Sequence, residues 1–215
     1  MDKNLAKQFN HLKIHSQFSI CQGAIKISDL KDFCKINKIP AIGLCDSSNL
    51  CGALEFAESI SKVGTQPIIG TQINFFFKET LGSLSLIANN IDGYKKIVKL
   101  SSKSYLENNS ISDPHCKIDD LFITKGGFTL LSGTINGLFG KLFSKGFDTE
   151  IHELFIQFRD QFKDNFYIEI QRHNDENEKE FENFLLKKSE ELKIPLIATH
   201  EVFYINQDMY EAHDA

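Results

Sequence analysis

Three places in the chain gather side chains able to hold a divalent cation or move a proton. They are His11-Leu12-Lys13-Ile14-His15-Ser16, Asp46-Ser47-Ser48-Asn49-Leu50-Cys51-Gly52 and His200-Glu201. Imidazoles and carboxylates bind transition metals well, and a metal-bound water is a nucleophile for hydrolysing phosphate esters. On an extended chain His11 and His15 face the same side, but a His-x-His pair on a strand needs a spacing of two. Lys13 occupies that place relative to His15, and an ammonium opposes a cation instead of binding it. His200 and Glu201 adjoin an apolar stretch, where a histidine serves either as ligand or as structural hydrogen-bonding residue. Each segment lies where a short apolar strand runs out into a polar loop, the place where barrel folds carry their chemistry.

The elements that must position these residues are short apolar runs separated by amphipathic ones. Ala41–Cys45, Pro67–Gly70, Leu84–Ala88, Phe128–Leu131, Phe166–Ile170 and Pro195–Ala198 read as strands buried on both faces. Between them, Leu50, Ala53, Leu54 and Ala57 fall at helical spacing, as do Tyr94, Ile97, Val98 and Ser101 with Asp92 as the cap, and Phe181, Phe184, Leu185 and Leu192 after the acidic turn Asp175, Glu176, Glu178. Lys38-Ile39-Pro40 and Lys193-Ile194-Pro195 both read as a helix end followed by a strand start, since proline stops a helix and is tolerated first in a strand. Strands alternating with helices give an α/β class, and the number of strands with polar residues after them favours a barrel. Chemistry in such folds sits at the strands' C-terminal ends, which here carry Asp46, Gln72, Gln171, His173, His200 and Glu201. Residues 103–117 read as a polar surface excursion and 207–215 as the start of a helix, with the natural chain expected to continue.

Composition narrows the function. The 215 residues fit one large domain with ordinary hydrophobic (41%) and charged (25%) content. A net charge of −5 without a Lys/Arg run argues against direct nucleic-acid binding. Nineteen Phe against no Trp read as core filler, not as a base-stacking platform. Five cysteines without CxxC spacing, and a polar start, suit a reducing cytoplasm, and no apolar run approaches a membrane span.

Taken together, the motifs resemble the polymerase-and-histidinol-phosphatase (PHP) domain, in the form found at the N-terminus of the bacterial DNA polymerase III alpha subunit. The matching segments are residues 9–19, Pro40 to Gly52, Gln66–Gln72, Asp92–Lys96 and Leu196 to Tyr204, in the family's order. Asn49-Leu50-Cys51-Gly52 and Pro67-Ile68-Ile69-Gly70 are characteristic of the replicative branch. The resemblance implies a distorted (β/α)7 barrel over 1–215 as a single domain. It also implies a trinuclear metal centre whose nine positions fall on Lys13, His15, Gln22, Ser47, Gln72, Ser83, Thr134, Glu201 and Phe203. His15 and Glu201 alone remain good ligands, since neutral amides and hydroxyls bind such metals poorly. Asp46, His173 and His200 are neighbours of that set. Lys13 suggests a structural exchange, its ammonium taking the cation's place and offsetting Asp46 or Glu201.

The leading expectation is therefore non-catalytic. The fragment would stabilise a polymerase chain and dock a separate proofreading exonuclease (epsilon) subunit. DNA would be met only through the full-length protein, and magnesium would serve the polymerase elsewhere in it. No cofactor or metal is expected in the fragment itself. The alternatives are a metal-dependent phosphoesterase or 3′-5′ exonuclease with a rearranged site built on His15, His200, Glu201 and Asp46, and a DNA-binding module.

Overall fold

A computed structural model describes residues 9–108 and 113–210. The strands are β1 (Lys13–Ile14), β2 (Ala41–Ser47), β3 (Gln66–Phe77), β4 (Thr80–Ala88), β5 (Cys116–Lys117), β6 (Phe128–Leu131), β7 (Phe166–Ile170), β8 (Leu196–Ala198) and β9 (Glu201–Val202). The helices are α1 (Ile27–Asn37), α2 (Ala53–Ser61), α3 (Ile91–Leu106), α4 (Ile118–Thr124), α5 (Leu138–Ser144), α6 (Asp148–Phe162) and α7 (Glu178–Leu192). The described residues form two compact units, one of 9–47, 51–70 and 200–210, the other of 48–50, 71–108 and 113–199.

In the first unit β1 lies parallel to β2 and to β9, with Ile14 opposite Leu44 and Lys13 opposite Glu201. Its core is Ile14, Ile25, Ile27, Leu30, Ile42, Leu44, Phe56 and Ile60. The lead into β1 presses so closely on β2 that a Cβ at Gly43 would stand 2.6 Å from the Leu12 carbonyl oxygen. Only glycine fits there, and Gly43 N–H donates to the His11 carbonyl at 2.7 Å.

In the second unit β4 runs antiparallel to β6, while β6, β7 and β8 are parallel neighbours and β5 lies parallel to β3. β3 and β4 are joined through Lys78 and Glu79, both left-handed (φ 46° and 54°), as a two-residue type I′ hairpin requires. Phe139, Phe155, Phe158 and Phe166 are wholly buried among their neighbours, so phenylalanine is the filler of this core.

Several expectations from sequence are corrected. On α2 the buried stripe is Ala53, Phe56 and Ile60, and Leu54 faces outward. On α3 it is Ile97, Leu100 and Ser104, with Val98 exposed. The cap is Asn90, whose side chain accepts from Gly93 N at 2.9 Å, and Asp92 sits in the first turn. Both stripes were one helical step off because alanines and serines carry little signal of side. The Leu196–Ala198 strand is not buried on both faces; Leu196 and Ala198 are exposed. Lys38 and Lys193 each cap a helix in the left-handed conformation (φ 51° and 57°), which gives the recurring Lys-Ile-Pro pattern its sharp stop. Gln207–Met209 form one 3-10 turn closed by Tyr210; 211–215 of the expected terminal helix, and 109–112 of the expected surface excursion, lie outside the described residues.

Candidate functional site

Six of the sequence-predicted positions gather in the first unit. β1 presents Lys13 and places Glu201 of β9 opposite it. The Lys13 ammonium reaches Glu201 Oε1 at 2.8 Å, although the lysine is only 1% exposed. His15 follows β1, equally buried, with Nε2 3.9 Å from Glu201 Oε1 and Nδ1 3.4 Å from Ser19 Oγ. The ring of Phe203 lies flat against the His15 imidazole, with centroids 4.4 Å apart and planes 18° apart. Ser47, at the end of β2, donates its hydroxyl to Gln22 Oε1 at 2.5 Å.

Asp46 is held beside them by the loop that follows β1. Its carboxylate accepts from Ser16 N (2.7 Å), Ser16 Oγ (2.8 and 3.1 Å) and Ser19 Oγ (2.7 Å). Asp46 thereby pins the loop that carries Gln22. Ser16 and Ser19 were missed in sequence, since isolated serines carry no periodic signal.

Gln72, Ser83 and Thr134 belong to the second unit. Gln72 sits within β3, not at its end, because β3 runs on to Phe77; its carbonyl accepts from Ser48 N at 2.8 Å. Ser83 lies within β4. Thr134 lies in the loop after β6 and lines a small cavity with Glu169 and Gln171. Here the structure shows a network that sequence reading did not single out. Glu169, 1% exposed, accepts from Gly133 N (3.0 Å), Gln171 Nε2 (3.0 Å) and the Thr199 hydroxyl. His173 continues it, its Nε2 2.8 Å from Gln171 Oε1. A carboxylate between Ile168 and Ile170 in an apolar strand was the available signal, because a buried charge must be met by donors. His200 stands between β8 and β9, exposed; burial first, and then the proximity of His200, lowers the pKa of His11.

Burial governs the electrostatics. It holds the His15 imidazole well below its usual range, at about 4; the Glu201 carboxylate pulls upward and the Lys13 ammonium pushes further down. Folded His15 is thus neutral where the unfolded chain takes up a proton, so stability is present above pH 6.5 and is lost as pH falls toward 4. The loss over that window is about 3 kcal/mol. Urea midpoints measured across it should fall more steeply for the wild type than for His15→Gln, and parallel curves would refute the assignment.

Burial raises the Asp46 carboxyl above its usual value, against the pull of Ser19 and Ser16. For this group stability is present at low pH and is lost as pH rises through the raised value, so at neutrality its charge costs stability. Asp46→Ala orphans a backbone N–H and two hydroxyls and should lose about 2–3 kcal/mol. Asp46→Asn retains an acceptor and no longer buries a charge, and should stay within about 1 kcal/mol of the wild type. Equal losses in a urea titration at pH 7 would contradict this account.

The strand and helix order defines an α/β protein of barrel type, and two solved structures share the fold. One, described as a metal-dependent phosphoesterase from Bifidobacterium adolescentis, superposes with a TM-score of 0.58 at 12% identity, covering 92% of this chain and 89% of that one. The other, an amidohydrolase from Chromobacterium violaceum solved with sulfate and no metal, gives 0.59 at 10% identity, covering 94% and 89%. Residues 11–173 match the PHP domain, and the chain belongs to that family. Its sequence is similar to the DNA polymerase III subunit alpha of Vibrio cholerae (32% identical over 96% of this chain), Caulobacter vibrioides (33%, 96%) and Borreliella burgdorferi (35%, 96%). The chain spans 18 to 19% of the length of those three relatives.

Proposed function

We propose that this chain is the PHP domain of a replicative DNA polymerase alpha subunit, a cytoplasmic protein, and that its ancestral metal pocket has become a structural network. The observation that carries this reading is the Lys13 ammonium, 2.8 Å from Glu201 and removed from water. It supplies a fixed positive charge where the family's pattern expects a bound cation.

The other positions fit metal no better. Ser47 and Gln22 satisfy each other, and Phe203 offers the His15 ring a π-face. Among the described residues no three His, Cys, Asp or Glu side chains stand together as a metal-holding group. A trinuclear centre does not fit these residues. The domain's role in this reading is to brace the alpha chain and to dock a separate proofreading exonuclease subunit, which a PHP domain without hydrolysis leaves a need for. DNA synthesis and its magnesium belong to other parts of such a subunit. Among the described residues no helix is long and apolar enough to cross a membrane.

Two measurements test this. Metal analysis of protein purified without chelators should find no stoichiometric zinc or manganese, and a generic phosphodiester should not be hydrolysed; stoichiometric metal together with hydrolysis would establish the phosphoesterase reading instead. Size-exclusion chromatography with the cognate proofreading subunit on the order of 10 μM should show co-elution. Separate peaks would remove the docking role and leave the fold intact.

A further inference from the structure

We propose that the outer face of α3 docks an acidic amphipathic helix supplied by another protein. This rests on the surface of α3 and not on the polymerase reading. Ile91, Val98 and Tyr105 are 69, 37 and 53% exposed. Seven residues on a helix advance about 10 Å along one face, so the three form a stripe at coiled-coil spacing. Their exposure is unusual for a helix whose opposite side, at Ile97 and Leu100, is already in the core.

Charge specifies the partner. Between Ile91 and Leu106 stand four lysines and one carboxylate, a net of +3 on a chain whose total is −5. Lys96 is held by Asp92 and by the Lys125 carbonyl, and Lys103 by Asp120 and Glu107. Lys95 and Lys99 are exposed beside the stripe. A groove of 340 Å³ between α3 and α4 is bordered by Lys99 and by Ile123, itself 74% exposed. A helix with apolar residues at seven-residue spacing and flanking carboxylates would bury the stripe and meet the two ammoniums, the arrangement by which flanking charges select a partner in paired helices. Nucleic acid suits the face less well, since its centre is apolar and two of its four cations are already bound by carboxylates.

The probe is a fluorescein-labelled designed peptide of several heptads, with Leu at the stripe positions and Glu flanking them. Its own carboxylates repel one another and keep it monomeric. Fluorescence anisotropy with the full chain should show saturable binding that weakens with salt and drops about tenfold or more in Lys95→Glu/Lys99→Glu. Val98→Asp should abolish it, with circular dichroism confirming that each variant is folded. The control Lys179→Glu/Lys187→Glu on α7 should bind as the wild type does. The proposal is overturned by no binding up to about 100 μM, by equal loss in the control, or by oligo-dT or phosphatidylserine vesicles binding this face with the same lysine dependence while the peptide does not.

Discussion

Replacing Glu201 with glutamine should lower the stability of the protein by about 3 kcal/mol, at the low end of what breaking a buried ion pair costs. The reason is the asymmetry of the pair. The Lys13 side chain is 2% exposed and that of Glu201 is 23% exposed. Glutamine removes the carboxylate 2.8 Å from an ammonium that bulk water cannot reach, and taking one partner from a buried ion pair is the costly outcome. Lys13→Met leaves instead a carboxylate that water can reach, and should lose less, about 1 kcal/mol. The double variant should recover part of the Glu201→Gln loss, because the two residues are in direct contact and their effects are not additive. Urea is the denaturant of choice, since guanidinium salt screens the pair. If the two single variants cost the same, the ammonium is solvated in a way the 2.8 Å contact does not describe, and the exchange of metal for lysine fails with it.

Phe158→Ala should cost about 3–5 kcal/mol, enough to consume much of a domain's usual margin. Phe158 is fully buried and its ring meets Phe122 and Phe166 at 5.3 Å, Phe162 at 5.8 Å and Phe139 at 5.9 Å. Truncation loses the transfer energy of the ring, opens a cavity among rings that cannot collapse into it, and removes edge-to-face contacts. Phe158→Leu retains most of the volume and should cost about 1–2 kcal/mol. Phe33, on the surface of α1, is the control, and its alanine variant should change stability by less than about 1 kcal/mol. Thermal and urea unfolding of the three variants check the order; a tolerant Phe158 would mean that the phenylalanine-rich core is loosely packed.

The strands of the second unit were legible because their signal is local. Phe128–Leu131 and Phe166–Ile170 were delimited to the residue by apolar runs with polar flanks. The hairpin after β3 was not legible: Lys78-Glu79 is a poor advertisement for a turn that glycine or asparagine usually fills. Helix faces were misread where the small side chains of α2 and the serines of α3 left the hydrophobic pattern ambiguous, and packing against the sheet then chose the side.

The order of motifs along the chain was enough to assign the family, and residue types alone prompted the proposal of a lost metal site, because an ammonium, a hydroxyl, an amide and a phenyl ring bind transition metals poorly. What the linear order could not supply was pairing. Lys13 and Glu201 stand far apart in sequence, and only the parallel register of β1 with β9 sets them opposite each other. Likewise, it is the folding of the loop 16–22 over β2 that brings Ser16 and Ser19 to Asp46. Electrostatic energy depends on distance and on exclusion of water, and both are properties of the packed chain.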